Sequence, residues 1–133
     1  MEKNFTLEVV TPARKVISKE VSSIVLPASN GYMGVLLNHA PLINTLGVGV
    51  LKYSDGKIED YVTICGGFME ISNNKVSIMA DAAESISEID VERAKRAEER
   101  ARERLKNREG IDPLRAELAL RRAMARLQAV SLR

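Results

Sequence analysis

What most constrains the fold is a break in residue chemistry near position 84. Residues 1–83 hold 7 Lys/Arg, 8 Asp/Glu and every aromatic residue of the chain, whereas residues 84–133 hold 13 Lys/Arg, 10 Asp/Glu and no aromatic residue at all. So dense a charge with no large side chain cannot close a core of its own, but it suits amphipathic helices. The chain therefore divides into a head, residues 1–84, and a tail, residues 85–133. At 133 residues it matches one ordinary domain or two very small ones. Pieces of that size bury a modest fraction of their surface, so partners are expected to supply part of the stability.

The head reads as short strands. Phe5, Leu7 and Val9 alternate with Thr6 and Glu8, the period of a half-buried strand, until Thr11-Pro12 breaks the run. Ile24 and Leu26 continue an alternation before Pro27. Ser29-Asn30-Gly31 predicts a turn, since Asn and Gly tolerate positive φ. Asp55-Gly56 predicts a hairpin between runs 50–53 and 58–64, and Asn73-Asn74 a second one between 68–71 and 76–79. Gly66-Gly67 lacks the Gly-Lys-Ser/Thr of a phosphate loop and marks a bulge or tight packing in a sheet. Many short strands with frequent turns suggest a sandwich or barrel.

The tail reads as two helices. The first starts at a capping box in Ser87-Glu88-Ile89-Asp90 or at Asp90 itself, alternatives that the residues leave open. It runs to about Asn107, with Glu92–Arg96 and Glu98–Arg102 in the favourable i,i+4 order and a narrow apolar stripe of Ala94, Ala97, Ala101 and Leu105. Gly110 ends this helical region, and Asp112-Pro113 restarts it as cap and first helical residue. The second helix carries its stripe on Ala116, Leu120, Ala123, Leu127 and Val130. A short connection predicts antiparallel packing, and an Ala-rich seam predicts a marginal hairpin.

The tail also repeats a motif. Ile89-Asp90-Val91-Glu92-Arg93-Ala94 opens the first helix and Ile111-Asp112-Pro113-Leu114-Arg115-Ala116 the second. Helix capping explains both copies economically. An anion site is the sharper reading, because Arg93 and Arg100 share one helical face while Arg115, Arg122 and Arg126 share another, and an antiparallel hairpin can aim both at a polyphosphate.

Other classes find little support. One Cys, Cys65, excludes an internal disulfide and suggests a buried thiol; with a single His it also argues against structural zinc. No apolar run is long enough to span a membrane, and no signal peptide is visible. His39, beside Ala40-Pro41, has no nucleophile pattern near it and reads as a contact residue. A net charge of +2 with mixed signs in the first helix argues against nucleic acid. A β-domain adaptor whose basic tail packs on a protein without nucleotide is the alternative.

Taken in order, Val9-Val10-Thr11-Pro12, Gly34-Val35-Leu36, His39-Ala40-Pro41-Leu42, Gly66-Gly67-Phe68-Met69-Glu70-Ile71, Ala82-Ala83-Glu84 and the tail run Ala116-Glu117-Leu118-Ala119-Leu120-Arg121-Arg122-Ala123-Met124 resemble the epsilon subunits of bacterial F-type ATP synthases over essentially the whole chain. Asn38 departs from the family, which often has Gly before the His. The resemblance implies a ten-stranded β-sandwich followed by an antiparallel two-helix hairpin. It implies a non-catalytic rotor subunit of the central stalk, with the gamma subunit, the c-ring and the alpha and beta subunits as partners. It also implies a monomer when isolated, and a peripheral place on the cytoplasmic face of the plasma membrane, reached only through the complex. Ser29, Asn30, Gly31, Tyr32 and His39 fall where the family meets gamma and the c-ring. Arg115, Arg121, Arg122 and Arg126 fall where the extended tail meets a beta subunit and inhibits hydrolysis. No cofactor is required, but some members bind ATP on the folded hairpin without hydrolysing it. The matching positions are Glu84, Ile89, Asp90, Arg93, Ala94, Arg100, Arg122 and Arg126.

Overall fold

The structure is a computed structural model and describes residues 4–107 and 112–132. Seven strands come first: β1 (Phe5–Val10), β2 (Lys15–Val21), β3 (Ser23–Ala28), β4 (Gly31–Leu36), β5 (Leu42–Ser54), β6 (Glu59–Ser72) and β7 (Lys75–Ser85). A 3-10 turn (Ile86–Glu88) leads to α1 (Val91–Lys106) and α2 (Pro113–Ser131).

The strands form one sheet in the order β2-β1-β7-β6-β5-β3-β4, antiparallel throughout except where β1 lies parallel to β7. All seven contribute buried side chains to a single apolar cluster, among them Leu7, Val21, Leu26, Val35, Leu51, Met69 and Ile78. One face of a flat sheet cannot meet itself, so the sheet must curl over its own core as a sandwich does. The ten strands implied by the resemblance are here seven. β5, β6 and β7 are 13, 14 and 11 residues long and pass from one layer to the other with no register shift between β5 and β6 or between β6 and β7, so stretches expected as separate strands are continuous.

Gly66-Gly67 is where β6 makes this bend. The pairings skip from Leu46↔Gly67 to Val48↔Cys65 on one side and from Gly67↔Ala80 to Cys65↔Ala82 on the other. Gly67 has φ +117°, and a Cβ there would lie 2.1 Å from the Met79 carbonyl oxygen, so no side chain fits.

The expected turns form as read. Asn73 and Asn74 both take positive φ (51° and 57°) between Ser72 and Lys75. The Asp55 carboxylate accepts from Lys57 N and Ile58 N, each at 2.9 Å, and those bonds hold its pKa below the ordinary value.

Past the bend, β5 and β6 are covered on both faces. Leu51, Val62 and Ile64 point into the main cluster. Val50 points the other way and packs with Ile86, Ile89 and Ala129. This second, smaller cluster docks α2 against the head. The seam between α1 and α2 buries Ala94, Ala101, Ala116 and Ala123. Leu105, Leu120, Leu127 and Val130 of the expected stripes are only partly buried. Ala125 and Ala129, which lie off the expected stripe, are buried too, so α2 spends one face on α1 and a second on the sheet. Among the described residues no helix is long and apolar enough to cross a membrane.

Candidate functional site between the head and the hairpin

The two repeats start the two helices as caps. Asp90 accepts from Arg93 N at 3.1 Å, and Asp112 accepts from Leu114 N at 3.0 Å and Arg115 N at 3.4 Å. The capping box lies elsewhere than expected: Ser85 and Glu88 form it around the 3-10 turn, and Asp90 alone caps α1. Gly110, expected to end the first helical region, and Ile111 of the second repeat lie outside the described residues.

Capping does not exhaust the first motif. Because Asp90 fixes the first turn of α1, Arg93 is set on the side facing α2. There the end of β7, the 3-10 turn and the two helices enclose a cleft of about 460 Å³, lined by Glu84, Glu88, Asp90, Arg93, Ala94, Ala97, Arg100, Ala119, Arg122 and Arg126. Its size suits a small organic ligand. Seven of the eight residues named as ATP-binding positions are in that lining. Ile89 is not: it is buried with Val50 and Ala129 and acts as an anchor for the hairpin. Glu88, Ala97 and Ala119 also line the cleft; the two alanines leave it room, a feature legible only once the helix pairing is known.

The charges in the cleft are unevenly matched. Arg126 Nε donates to Glu84 Oε1 at 2.6 Å, both side chains being about a third exposed, at 32% and 30%. Glu88 is held by the Ser85 hydroxyl and backbone N–H and by Arg14 of the β1–β2 turn. Asp90 is occupied as a cap. The guanidinium groups of Arg93, Arg100 and Arg122 make no hydrogen bond or ion pair with any other described residue. The carboxylates are thus engaged while three guanidinium groups remain open toward the same space, an arrangement that favours a multiply charged anion.

The Arg14–Glu88 bond joins residues 74 apart in sequence and ties the root of the hairpin to the head. Arg14 is offered by a firm turn, in which the Thr11 hydroxyl accepts from Ala13 N and Arg14 N. The Ser85 hydroxyl, the Ser85 N–H and Arg14 together hold the Glu88 carboxyl below its ordinary pKa. A lowered carboxyl pKa stabilises the closed form above the ordinary carboxylate range and loses that contribution as pH falls through the folded value. Arg14→Ala is expected to loosen residues 85–90 at neutral pH, raising their amide hydrogen exchange severalfold. Acidification should loosen wild type in the same segment and change the variant less.

Cys65, expected buried, is half-buried on the sheet face beneath α2. Burial raises its thiol pKa, against the opposing pull of Arg126 and Arg122.

The remaining candidate residues do not join the cleft. Arg115 and Arg121 are exposed on α2, and Arg115 lies two turns before Arg122. Ser29 and Asn30 form the β3–β4 tip and Gly31 opens β4, with the Ser29 hydroxyl accepting from Thr45 Oγ1 at 2.7 Å. Tyr32 follows on β4; its hydroxyl accepts from Val50 N at 3.1 Å, while the residue as a whole stays 56% exposed. His39 comes after the other end of β4, its Nδ1 2.7 Å from the Ala40 carbonyl oxygen. The two groups lie toward opposite ends of β4, so they mark two surfaces rather than one. Sequence reasoning missed a third. Phe68 pairs with Met79 across β6 and β7, and Ile43 lies on the same face of neighbouring β5; all three are exposed, Ile43 at 71%. Large apolar groups gathered in the open mark a contact surface.

With this geometry established, comparison with known proteins is decisive. The ATP synthase delta/epsilon chain β-sandwich domain matches residues 4–86, and the delta/epsilon chain long α-helix domain matches residues 87–131. The chain belongs to the ATP synthase delta/epsilon chain family. Within that family it is 52% identical to an ATP synthase epsilon chain of Desulfitobacterium hafniense strain Y51 over 97% of this chain and 98% of the relative. It is 48% identical to that of Moorella thermoacetica over 95% and 96%. Among solved structures, a chain in the Euglena gracilis mitochondrial ATP synthase (OSCP, F1 and c-ring, rotational state 1) superposes with a TM-score of 0.83 at 26% identity, over 100% of this chain and 84% of that one.

Proposed function

We propose that this chain is the epsilon subunit of an F-type ATP synthase: a non-catalytic element of the central stalk whose tail is a nucleotide-sensitive brake. Its head would dock on the gamma subunit and the c-ring, and its partners would include the alpha and beta subunits. The exposed Ile43, Phe68 and Met79, the β3–β4 tip and the His39 turn supply separate surfaces for such contacts. Attachment to the membrane is then peripheral and runs through the complex, on the cytoplasmic face in a bacterium.

The observation that carries the regulatory part is the cleft with three unmatched guanidinium groups. Its walls come from both helices and from the end of the head, so it exists only while the hairpin is folded down. ATP fits its charge and size as a ligand that is held and not hydrolysed; the chain's own groups then bind and orient, with no nucleophile engaged. A ligand that binds only the closed form adds RT ln(1 + [L]/Kd) to it, about 2.7 kcal/mol at a hundred times Kd. Against an alanine seam that is enough to set the population. When ATP is scarce the tail extends, and Arg115, Arg121, Arg122 and Arg126 become available to carboxylates of a beta subunit. Leu114 and Met124, exposed at 65% and 45% in the folded form, give the same helix apolar groups for that partner.

Calorimetry on the isolated subunit tests this. Wild type should release heat on ATP titration, and Arg93→Ala should bind about tenfold more weakly, since it removes one charge-assisted contact and disturbs no ion pair. Absence of heat at millimolar ATP would leave the adaptor reading, a tail that packs on protein without nucleotide.

A further inference from the structure

Beneath α2, one transverse row of the sheet carries Val50, Thr63 and Glu84 on β5, β6 and β7. All three face the helices. Val50 packs with Ala129, and Glu84 holds Arg126, so the row carries an apolar anchor at one end and an ionic anchor at the other. Thr63 lies between them. It is 1% exposed and is the one buried polar side chain among the described residues. Valine would have the same shape there and would suit a covered strand better. The hydroxyl therefore needs a reason.

The reason is its two bonds to a single residue. Thr63 Oγ1 donates to the Glu84 carbonyl oxygen at 3.3 Å and accepts from Glu84 N at 3.2 Å. Glu84 is the penultimate residue of β7, where the ladder ends and the chain leaves for the 3-10 turn. Such strand ends fray unless something holds them. Here the hydroxyl brackets both backbone polar groups of Glu84 and fixes the point from which its side chain reaches out. Glu84 Oε1 in turn takes Arg126 Nε. Occupying Nε leaves the terminal nitrogens of the guanidinium for another acceptor.

We propose that Thr63 is a positioning residue for the anion cleft, acting through Glu84 to orient Arg126. This rests on the reading of the cleft as a nucleotide site. On it, Glu84 holds the arginine rather than the phosphate, as suits a carboxylate beside a polyanion. The affinity of the cleft is set partly inside the sheet, by a side chain that never meets the ligand.

The test is ATP calorimetry on the full-length subunit with Thr63→Val and Thr63→Ser, each repeated on an Arg126→Ala background. Thr63→Val should weaken binding about fivefold, the worth of one lost hydrogen-bond partner, and Thr63→Ser should restore most of it. On the Arg126→Ala background, Thr63→Val should cost nothing further, because its effect runs through that arginine. Thermal melting serves as the control, since a purely structural role would lower Tm by the same amount on both backgrounds and weaken ATP equally on both. Equal affinities of wild type and Thr63→Val, or full additivity with Arg126→Ala, overturn the proposal. Failure of wild type itself to bind ATP instead overturns the nucleotide reading beneath it.

Discussion

Arg126→Ala is expected to weaken ATP binding by about a hundredfold, the largest loss for any single arginine of the cleft. The guanidinium groups of Arg93, Arg100 and Arg122 have no partner among the described residues to release, so truncating one of them should remove only its contact with the proposed ligand. Arg126 is different because it already neutralises Glu84 across a 2.6 Å bond. Its removal takes away a charge-assisted contact worth about 1.5–3 kcal/mol. It also leaves a two-thirds-covered carboxylate unpaired at the edge of the proposed phosphate site. Like charge then faces like charge where water is partly excluded, and the two effects together reach about 3 kcal/mol, or two decades in Kd. A second substitution separates them. Glu84→Gln added to Arg126→Ala removes the stranded charge and should recover about tenfold. Titration calorimetry on the three variants reads this directly. Arg126→Ala binding like wild type would place the nucleotide elsewhere.

The head was legible because its signals are local. Alternation at Phe5, Leu7 and Val9 and at Ile24 and Leu26 matches the buried positions, and the Asp55-Gly56 and Asn73-Asn74 turns sit where their backbone chemistry requires. Strand number was not local. Whether a Gly-Gly bend ends a strand or only turns it depends on whether the ladder resumes on both sides, which is a property of the partners β5 and β7. The tail shows the same division. Caps and helix extents follow from Asp90, Asp112 and Pro113, and the arginine spacings alone put five guanidinium groups on facing stripes, of which Arg115 stays outside the cleft. Arg93, Arg100, Arg122 and Arg126 do meet. Ile89 falls outside the cleft lining: the motif names it, and only the fold shows that it points under α2. Ala125 and Ala129 were missed because a stripe drawn for one partner cannot reveal a second. Thr63 was invisible for a similar reason: a threonine in a strand looks like any β-branched residue until its neighbour across the ladder is known.

That second face of α2 governs the other large effect. Ala129→Glu is expected to release the tail from the head and abolish measurable ATP binding, although Ala129 lines no part of the cleft. The side chain is fully buried against Val50, Ile86 and Ile89, with Tyr61 and Val130 packed beside them, a cluster that holds no basic group to pair a carboxylate. Burying an unpaired charge there costs several kcal/mol, more than a small cluster and an alanine seam can offset. The cheapest relief is for α2 to leave the platform, since the main core of the head takes no side chain from the helices. The cleft then loses one wall, and Arg122 and Arg126 move away from Arg93 and Arg100. Cys65 gives an internal reporter of this event. In the closed form it is shielded by α2, and burial holds its thiol pKa up. Undocking removes both the cover that raises the thiol pKa and the Arg126 and Arg122 charges that lower it, so access carries the effect and alkylation should accelerate severalfold. In wild type, saturating ATP should slow the same reaction by favouring the docked form. Within the assembled complex, Ala129→Glu should hydrolyse ATP slowly at every ATP concentration, because the tail is always free to extend, whereas Ala129→Ser should behave nearly as wild type. Slow alkylation and intact ATP binding in Ala129→Glu would mean that the Val50 platform is not what holds the tail down.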